Sequence, residues 1–300
     1  MNRTILIDRL VNNLLKHEYE VFLTRGCFEI AAKREKLMLI KSLTNIDGLN
    51  PQQAQSLRIV SYFVSACPFV VSMRTNRRFL TNDMVYNRFG LPVVTPRMFE
   101  SIIEEDAYGI KAAKGRRSVE IDADALRAKR YEMKFTLEEL ARLVGISKKA
   151  LYEIESKRTN PTERTVKRLE QMLNIKLKKI YSPQTPAKTT MEPHDPLEEK
   201  VSKELGRIGI DNSPVHHAPF EIVGKESFSI ITGLSANTTK IKHAATSVKK
   251  LSAIFDASAF FVSKHTDARS VEGIPVLRED ELPEVDSAKE LKKLIEETAD

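Results

Sequence analysis

Thr136-Leu-Glu-Glu-Leu-Ala-Arg-Leu-Val-Gly-Ile-Ser-Lys-Lys-Ala-Leu-Tyr-Glu-Ile-Glu-Ser-Lys-Arg-Thr-Asn-Pro-Thr162 is the stretch that decides how this chain is read. Thr136 with Glu139 three residues later is a capping box, so a helix begins there. Leu137, Leu140, Ala141 and Val144 fall on one face of it. Gly145 ends it, because glycine enters the left-handed region without steric cost. Ile146 plugs the turn, and Ser147 caps a second helix from Lys148 to about Ser156. Ala150, Leu151 and Ile154 face inward, which leaves Lys148, Lys149, Tyr152 and Glu153 outward. A turn this short forces a steep crossing and pushes the start of the second helix outward, where it fits a major groove.

Two further helices complete this module. One runs from about Asp122 to Met133; the other is capped near Thr162 and buries Val166, Leu169, Met172 and Leu173. In order and spacing, Leu126, Arg130, Thr136, Leu140, Ala141, Gly145, Ile146, Ser147, Leu151, Ile154, Glu155, Lys157, Arg158, Pro161, Thr162 and Leu169 make this segment resemble the Cro/C1-type (XRE-like) helix-turn-helix domains. The resemblance covers about 60 of the 300 residues. It implies duplex DNA as partner, with Ser147, Lys148, Lys149 and Tyr152 at bases and phosphates. Thr136, Lys157, Arg158 and Asn160 are then expected on the phosphate backbone.

Charge agrees with that expectation. Residues 107–181 hold 19 Lys or Arg against 10 Asp or Glu, whereas residues 182–300 hold 15 against 20. The excess that gives the chain its net +7 is therefore concentrated where phosphate contact is expected. No apolar run approaches the roughly 18 residues a membrane span needs, and Met1–Lys16 reads as an amphipathic helix, not a secretion signal. Two cysteines without metal-ligand spacing, Cys27 and Cys67, are expected as buried thiols in a cytoplasmic protein.

Two segments break the chain: a basic stretch at 107–121 containing Lys114-Gly115-Arg116-Arg117, and the Pro-rich 182–196. They delimit 1–106, the helix-turn-helix domain 122–181, and 197–300. The flanks read as two copies of one unit. Phe28-Glu-Ile-Ala-Ala, Pro51–Val64, Pro68-Phe-Val-Val-Ser and Gly90-Leu-Pro-Val-Val recur as Phe220-Glu-Ile-Val, Thr238–Phe255, Ala259-Phe-Phe-Val-Ser and Gly273-Ile-Pro-Val-Leu. Phe28 maps to Phe220 at an offset of 192, Ser72 to Ser263 at 191 and Gly90 to Gly273 at 183, so the second copy is eight residues shorter before its last strand. The expected fold class is multi-domain: duplicated α/β mixed-sheet units flanking a central all-α helix-turn-helix domain.

Each flank resembles the restriction-endonuclease-like superfamily, which includes archaeal Holliday-junction resolvases. That resemblance implies an acidic residue at the start of one strand and an acidic-x-Lys at the end of the next, the carboxylates holding a divalent metal. Glu29 and Lys41 fit two of these positions, but Leu39 stands where the second carboxylate belongs. The second copy keeps Glu221 and has Ile230-Ile231-Thr232 at the other position. Both units are therefore expected to be non-catalytic, with no metal and no cofactor. His216-His217 lacks a third ligand at metal spacing, and Arg74, Arg77 and Arg78 read as a phosphate-contacting or solvated loop.

The order of an endonuclease-like unit, a Cro-type helix-turn-helix and a second α/β unit resembles a set of archaeal helix-turn-helix transcriptional regulators. The expected function is a regulator that binds double-stranded DNA sequence-specifically as a homodimer. The alternatives are a metal-dependent nuclease targeted by the helix-turn-helix and an antitoxin-like docking module.

Overall fold

Helix caps and apolar spacing set the frame of each α/β copy. In the computed structural model, which describes residues 2–104, 110–113, 116–235, 238–264 and 268–299, the Asn2 side chain accepts from Ile5 N and opens α1 (Arg3–Lys16). Leu6, Leu10 and Leu14, one turn apart, form its buried stripe. The chain then lays down β1 (Glu20–Leu23), β2 (Ile30–Lys33) and β3 (Leu37–Asn45). Asn50 caps α2 (Pro51–Phe63), with proline at the first helical position, where its missing N–H costs nothing. β4 (Cys67–Arg74), β5 (Tyr86–Arg88), β6 (Leu91–Val94) and α3 (Pro96–Ile103) follow.

The C-terminal copy repeats this order. α8 (Pro196–Arg207) precedes β9 (Asp211–Pro214), β10 (Ile222–Lys225) and β11 (Ser229–Leu234). α9 (Thr238–Phe255), β12 (Ala257–Ser263), β13 (Ser270–Val271), β14 (Ile274–Arg278) and α10 (Ala288–Ala299) complete it. The sheets run β1-β2-β3-β4-β6-β5 and β9-β10-β11-β12-β14-β13, the same order element for element. Their registers also coincide: Ile30 pairs with Ile40 and Ile222 with Thr232, each shifted by 192. In the second sheet β11, β12 and β14 are parallel and β9, β10 and β13 antiparallel to their neighbours, a mixed sheet as expected.

The chain divides into two compact units, and the division does not follow the two expected linkers. One unit gathers Met1–Val71, Phe89–Leu91 and Pro183–Asp300; the other gathers Ser72–Arg88 and Pro92–Ser182. In the first unit the two copies pack on each other through equivalent elements. Lys33 bonds to Asp256, and Lys225 Nζ donates to Ser65 Oγ at 2.7 Å. At offsets of 192 and 191 these two contacts are one contact related by a pseudo-two-fold. Phe255 sits between Phe28 and Phe220, with ring centroids 6.3 and 6.5 Å away. The Pro-rich segment is tied to the same unit. The Thr190 carbonyl accepts from Gln55 Nε2 at 2.9 Å, Met191 N donates to Ser213 Oγ at 3.1 Å, and Lys188 meets Asp211 at 2.6 Å. Prolines keep this segment from forming a helix, which leaves groups such as Thr190 O and Met191 N free of helical partners and open to these bonds.

In the second unit the basic stretch expected as a linker is a hairpin, β7 (Ile110–Ala113) antiparallel to β8 (Arg116–Val119). Lys114 and Gly115, and the side chains of Arg116 and Arg117, lie outside the described residues. β8 and the residues after it bind the helical domain through its backbone: Val119 N donates to Pro161 O at 2.9 Å and Asp122 N to Leu177 O at 2.8 Å. The helices are α4 (Ala123–Glu132), α5 (Leu137–Val144), α6 (Lys148–Glu155) and α7 (Glu163–Leu173). Their core joins Leu126, Leu140, Val144, Leu151, Val166 and Leu169 with Val119, Ile121 and Met84. Met84 lies in the stretch between β4 and β6 that is six residues longer than its counterpart between β12 and β14.

Candidate nucleic-acid interface

The α5–α6 turn follows its sequence residue by residue. Thr136 Oγ1 accepts from Glu139 N at 3.2 Å, and Thr136 N donates to Glu139 Oε2 at 2.8 Å, closing the capping box. Gly145 adopts φ 74°, and a Cβ there would lie 2.8 Å from Arg168 Nη1. That arginine donates from Nη1 to Val144 O at 2.9 Å, satisfying a carbonyl at the end of α5. Ser147 Oγ accepts from Ala150 N at 3.1 Å and starts α6.

Leu151 and Ile154 are buried, so the opposite face of α6 is turned to solvent. Thr136, Ser147, Lys148, Lys149, Tyr152, Lys157, Arg158 and Asn160 are all exposed. Their side chains are engaged to different degrees. The Thr136 hydroxyl donates to Glu139 Oε2 at 2.8 Å while accepting from Glu139 N, so both of its roles are spent within the cap. Lys157 holds Asp124 at 2.6 Å, and Lys148 lies 3.7 Å from Glu138. The Lys157 ammonium keeps the exposed Asp124 carboxyl below its usual range. Arg158 lies over the Tyr152 ring at 5.5 Å and 3.4 Å from Glu153. Lys149 has no ion-pair partner among the described residues, which leaves its ammonium open to a phosphate or a guanine edge.

Arg130 and Glu155 matched the motif in the sequence without an assigned task. In the structure they are a buried, two-pronged ion pair joining α4 to α6, with Nε to Oε1 at 2.7 Å and Nη2 to Oε2 at 2.8 Å. Arg130 Nη1 also donates to Phe135 O at 3.0 Å, and Arg127 Nη2 to Glu155 O at 3.1 Å. The carboxylate holds the Arg130 guanidinium above its ordinary value. A pairing 25 residues apart leaves no local pattern; the only signal was two charges placed where apolar neighbours point inward. Arg74, Arg77 and Arg78 are exposed around a tight turn in which Thr75 Oγ1 accepts from the backbone N of Arg77 and Arg78.

The nuclease-like site is closed by the chain's own cations. Glu29 is buried on the strand-entry side of β2, and both of its oxygens are occupied. Oε1 takes Lys41 Nζ at 2.8 Å together with Arg3 Nη2, and Oε2 takes Ser42 N at 2.7 Å. Two side-chain cations stand where a metal would have to stand, and Leu39 supplies no second carboxylate. This donor set does not fit a hard divalent cation, which needs several oxygens. Among the described residues no three His, Cys, Asp or Glu side chains gather as metal ligands. His216 instead meets His194, with ring centroids 3.6 Å apart.

Comparison with known proteins assigns these parts. A model of the PD-(D/E)XK superfamily domain matches residues 3–108, and a helix-turn-helix model matches 126–180. A protein of Methanothermobacter thermautotrophicus named "Putative HTH-type transcriptional regulatory protein" is 32% identical over 94% of this chain and 90% of its own length. Proteins of the same name from Pyrococcus horikoshii and Methanocaldococcus jannaschii are 30% and 26% identical over 90% and 96% of this chain, covering 89% and 95% of their own lengths. No solved structure matches the chain. With its helix-turn-helix built and capped as described and its length aligned almost end to end, the chain belongs to this archaeal family of HTH-type transcriptional regulators.

Proposed function

We propose that the chain reads an operator in duplex DNA with the exposed face of α6, as a homodimer, and that neither nuclease-like copy cuts. The observation that carries this reading is the solvent-facing set Ser147, Lys148, Lys149 and Tyr152 on a helix whose other face is locked into the core. Ser147 caps α6 with its oxygen and keeps its hydroxyl proton for a phosphate. Lys148 and Lys149 serve guanine edges or phosphates, and Tyr152 with Arg158 stacked over it flanks them. Lys157 and Asn160 contact the backbone beside them, while Thr136 acts through its cap. A single helix of this length reads a few base pairs, so two copies on half-sites about one helical turn apart supply the specificity. The occupied oxygens of Glu29 support a scaffold role for the first α/β copy. Two free, buried cysteines are consistent with work in the cytoplasm.

Replacing Lys148 and Lys149 together with alanine tests the assignment. Duplex affinity should fall, and the slope of log affinity against log salt should become shallower by about 2, one for each lost phosphate contact. The melting temperature should stay unchanged, because both side chains are exposed. Equal affinity and equal salt slope in the variant would refute it.

A further inference from the structure

The two α/β copies treat the same glutamate in opposite ways. Glu29 and Glu221 occupy equivalent positions at an offset of 192, and each accepts from the equivalent backbone N–H at 2.7 Å, Ser42 N in one copy and Leu234 N in the other. In the first copy Lys41 and Arg3 neutralise the carboxylate. In the second both cations are gone. Gly233 stands at the place of Lys41. The buried helix stripe Leu6, Leu10, Leu14 maps to Leu197, Val201, Leu205 at 191, so His194 stands at the place of Arg3. The change at Gly233 is built in: a Cβ there would lie 2.3 Å from the Phe261 ring, which fills the space of the missing lysine stem. Phe261 itself maps to the smaller Val70.

Glu221 therefore borders a cavity of about 520 Å³ without a cation of its own. That volume suits a small metabolite. The lining divides by chemistry. Glu221 and Asp195 give one negative wall, Lys240 and Lys264 a positive one, and Leu197, Leu234, Ile241 and Phe261 an apolar one. Asp195 Oδ1 is already used by Leu197 N and Glu198 N at the start of α8, and Glu198 Oε2 accepts from His194 N. Glu221 Oε2 takes Leu234 N, and its other oxygen, equivalent to the one that Lys41 and Arg3 hold in the first copy, has no such cation among the described residues. Lys264 is held only loosely by Glu279, at 3.8 Å.

We propose that this cavity binds a free α-amino acid, with its ammonium on the Glu221 carboxylate, its carboxylate toward Lys240 and Lys264, and its side chain against Leu197, Leu234 and Phe261. The ammonium would take the place that Lys41 fills in the first copy. Binding here does not depend on how the chain reads DNA; a role as effector does.

The test is thermal shift and calorimetry on the full chain with each of the 20 amino acids at saturating concentration. Simple amines, simple carboxylates and magnesium chloride serve as separate probes. At least one amino acid should raise the melting temperature, as any ligand specific to the native state must. Its amine and acid fragments should bind at least roughly tenfold more weakly. Glu221→Gln keeps an oxygen for Leu234 N but loses the charge, and should weaken binding by at least about tenfold. Lys240→Ala with Lys264→Ala, both at exposed sites, should weaken it as well, whatever the stability of the first variant. The proposal is overturned if no amino acid shifts the wild type, if magnesium gives the shift instead, or if the folded variants bind as tightly as the wild type.

Discussion

Arg130 and Glu155 face each other across the α4–α6 contact, 4% and 3% exposed, through two parallel hydrogen bonds. This clasp holds the end of α6 against the domain, and the cap at Ser147 sets its start. Planar guanidinium on planar carboxylate fixes direction as well as distance. Removing one partner strands the other in the core. Arg130→Ala should destabilise the helical domain by about 3–5 kcal/mol, measured by chemical denaturation of the full chain. Arg130→Met with Glu155→Met should recover most of that loss, because a buried ion pair is replaceable by apolar volume. A single-variant loss below about 1 kcal/mol would mean the pair is solvated and not structural.

Gly145 makes a second, local prediction. Its φ of 74° and the 2.8 Å approach of Arg168 Nη1 leave alanine strained twice over. Gly145→Ala should cost roughly 1–2 kcal/mol. Arg168→Ala in the same background should relieve the steric part, although Val144 O then loses its donor. A Gly145→Ala chain as stable as wild type would show that the turn does not need the left-handed residue.

Glu221 predicts a pH dependence of known sign. Burial, more than any neighbour, pushes its carboxyl up to about 7, with Glu198 and Asp195 adding to the effect and the Leu234 N–H opposing it. The ordinary value is 4.5, so between 4.5 and about 7 the folded chain holds a proton that the unfolded chain has released. Stability contributed by this group therefore falls as pH rises through that window. Glu221→Gln removes the penalty. Its advantage over wild type should be near zero at about pH 4 and approach roughly 3 kcal/mol by about pH 8. Parallel stability curves for the two proteins would contradict this.

The first copy predicts an inactive centre. Supercoiled plasmid incubated with magnesium or manganese should stay intact, and Glu29→Ala should change nothing in that assay. Nicking by the wild type that disappears in Glu29→Ala would make the copy a nuclease despite Lys41 and Arg3.

The helical domain was legible because its signals are local. The capping box at Thr136, the N-caps at Ser147 and Thr162, a left-handed glycine and a proline before α7 act within a few residues, and each falls where it was read. The sheets were legible through the recurrence at 192, which the two registers reproduce. What escaped lacks such marks. β9 is Asp-Asn-Ser-Pro, an edge strand without apolar alternation, recognisable only by its pairing with β10. The hairpin at 110–119 reads as charge and a glycine. The packing of one copy on the other rests on partners such as Lys33 and Asp256, 223 residues apart, which no periodicity reveals. At the nuclease-like site Glu29 and Lys41 were visible in sequence, but Arg3, which completes the neutralisation, comes from a helix 26 residues earlier.

The most direct test of DNA reading by α6 is to retain sheared genomic DNA on the protein at near-physiological salt and sequence the bound fragments. The account predicts a shared, roughly palindromic motif with half-sites about one helical turn apart, and its disappearance when Lys148 and Lys149 are both alanine. Uniform recovery of the genome by the wild type, or the same motif recovered by the variant, would contradict it.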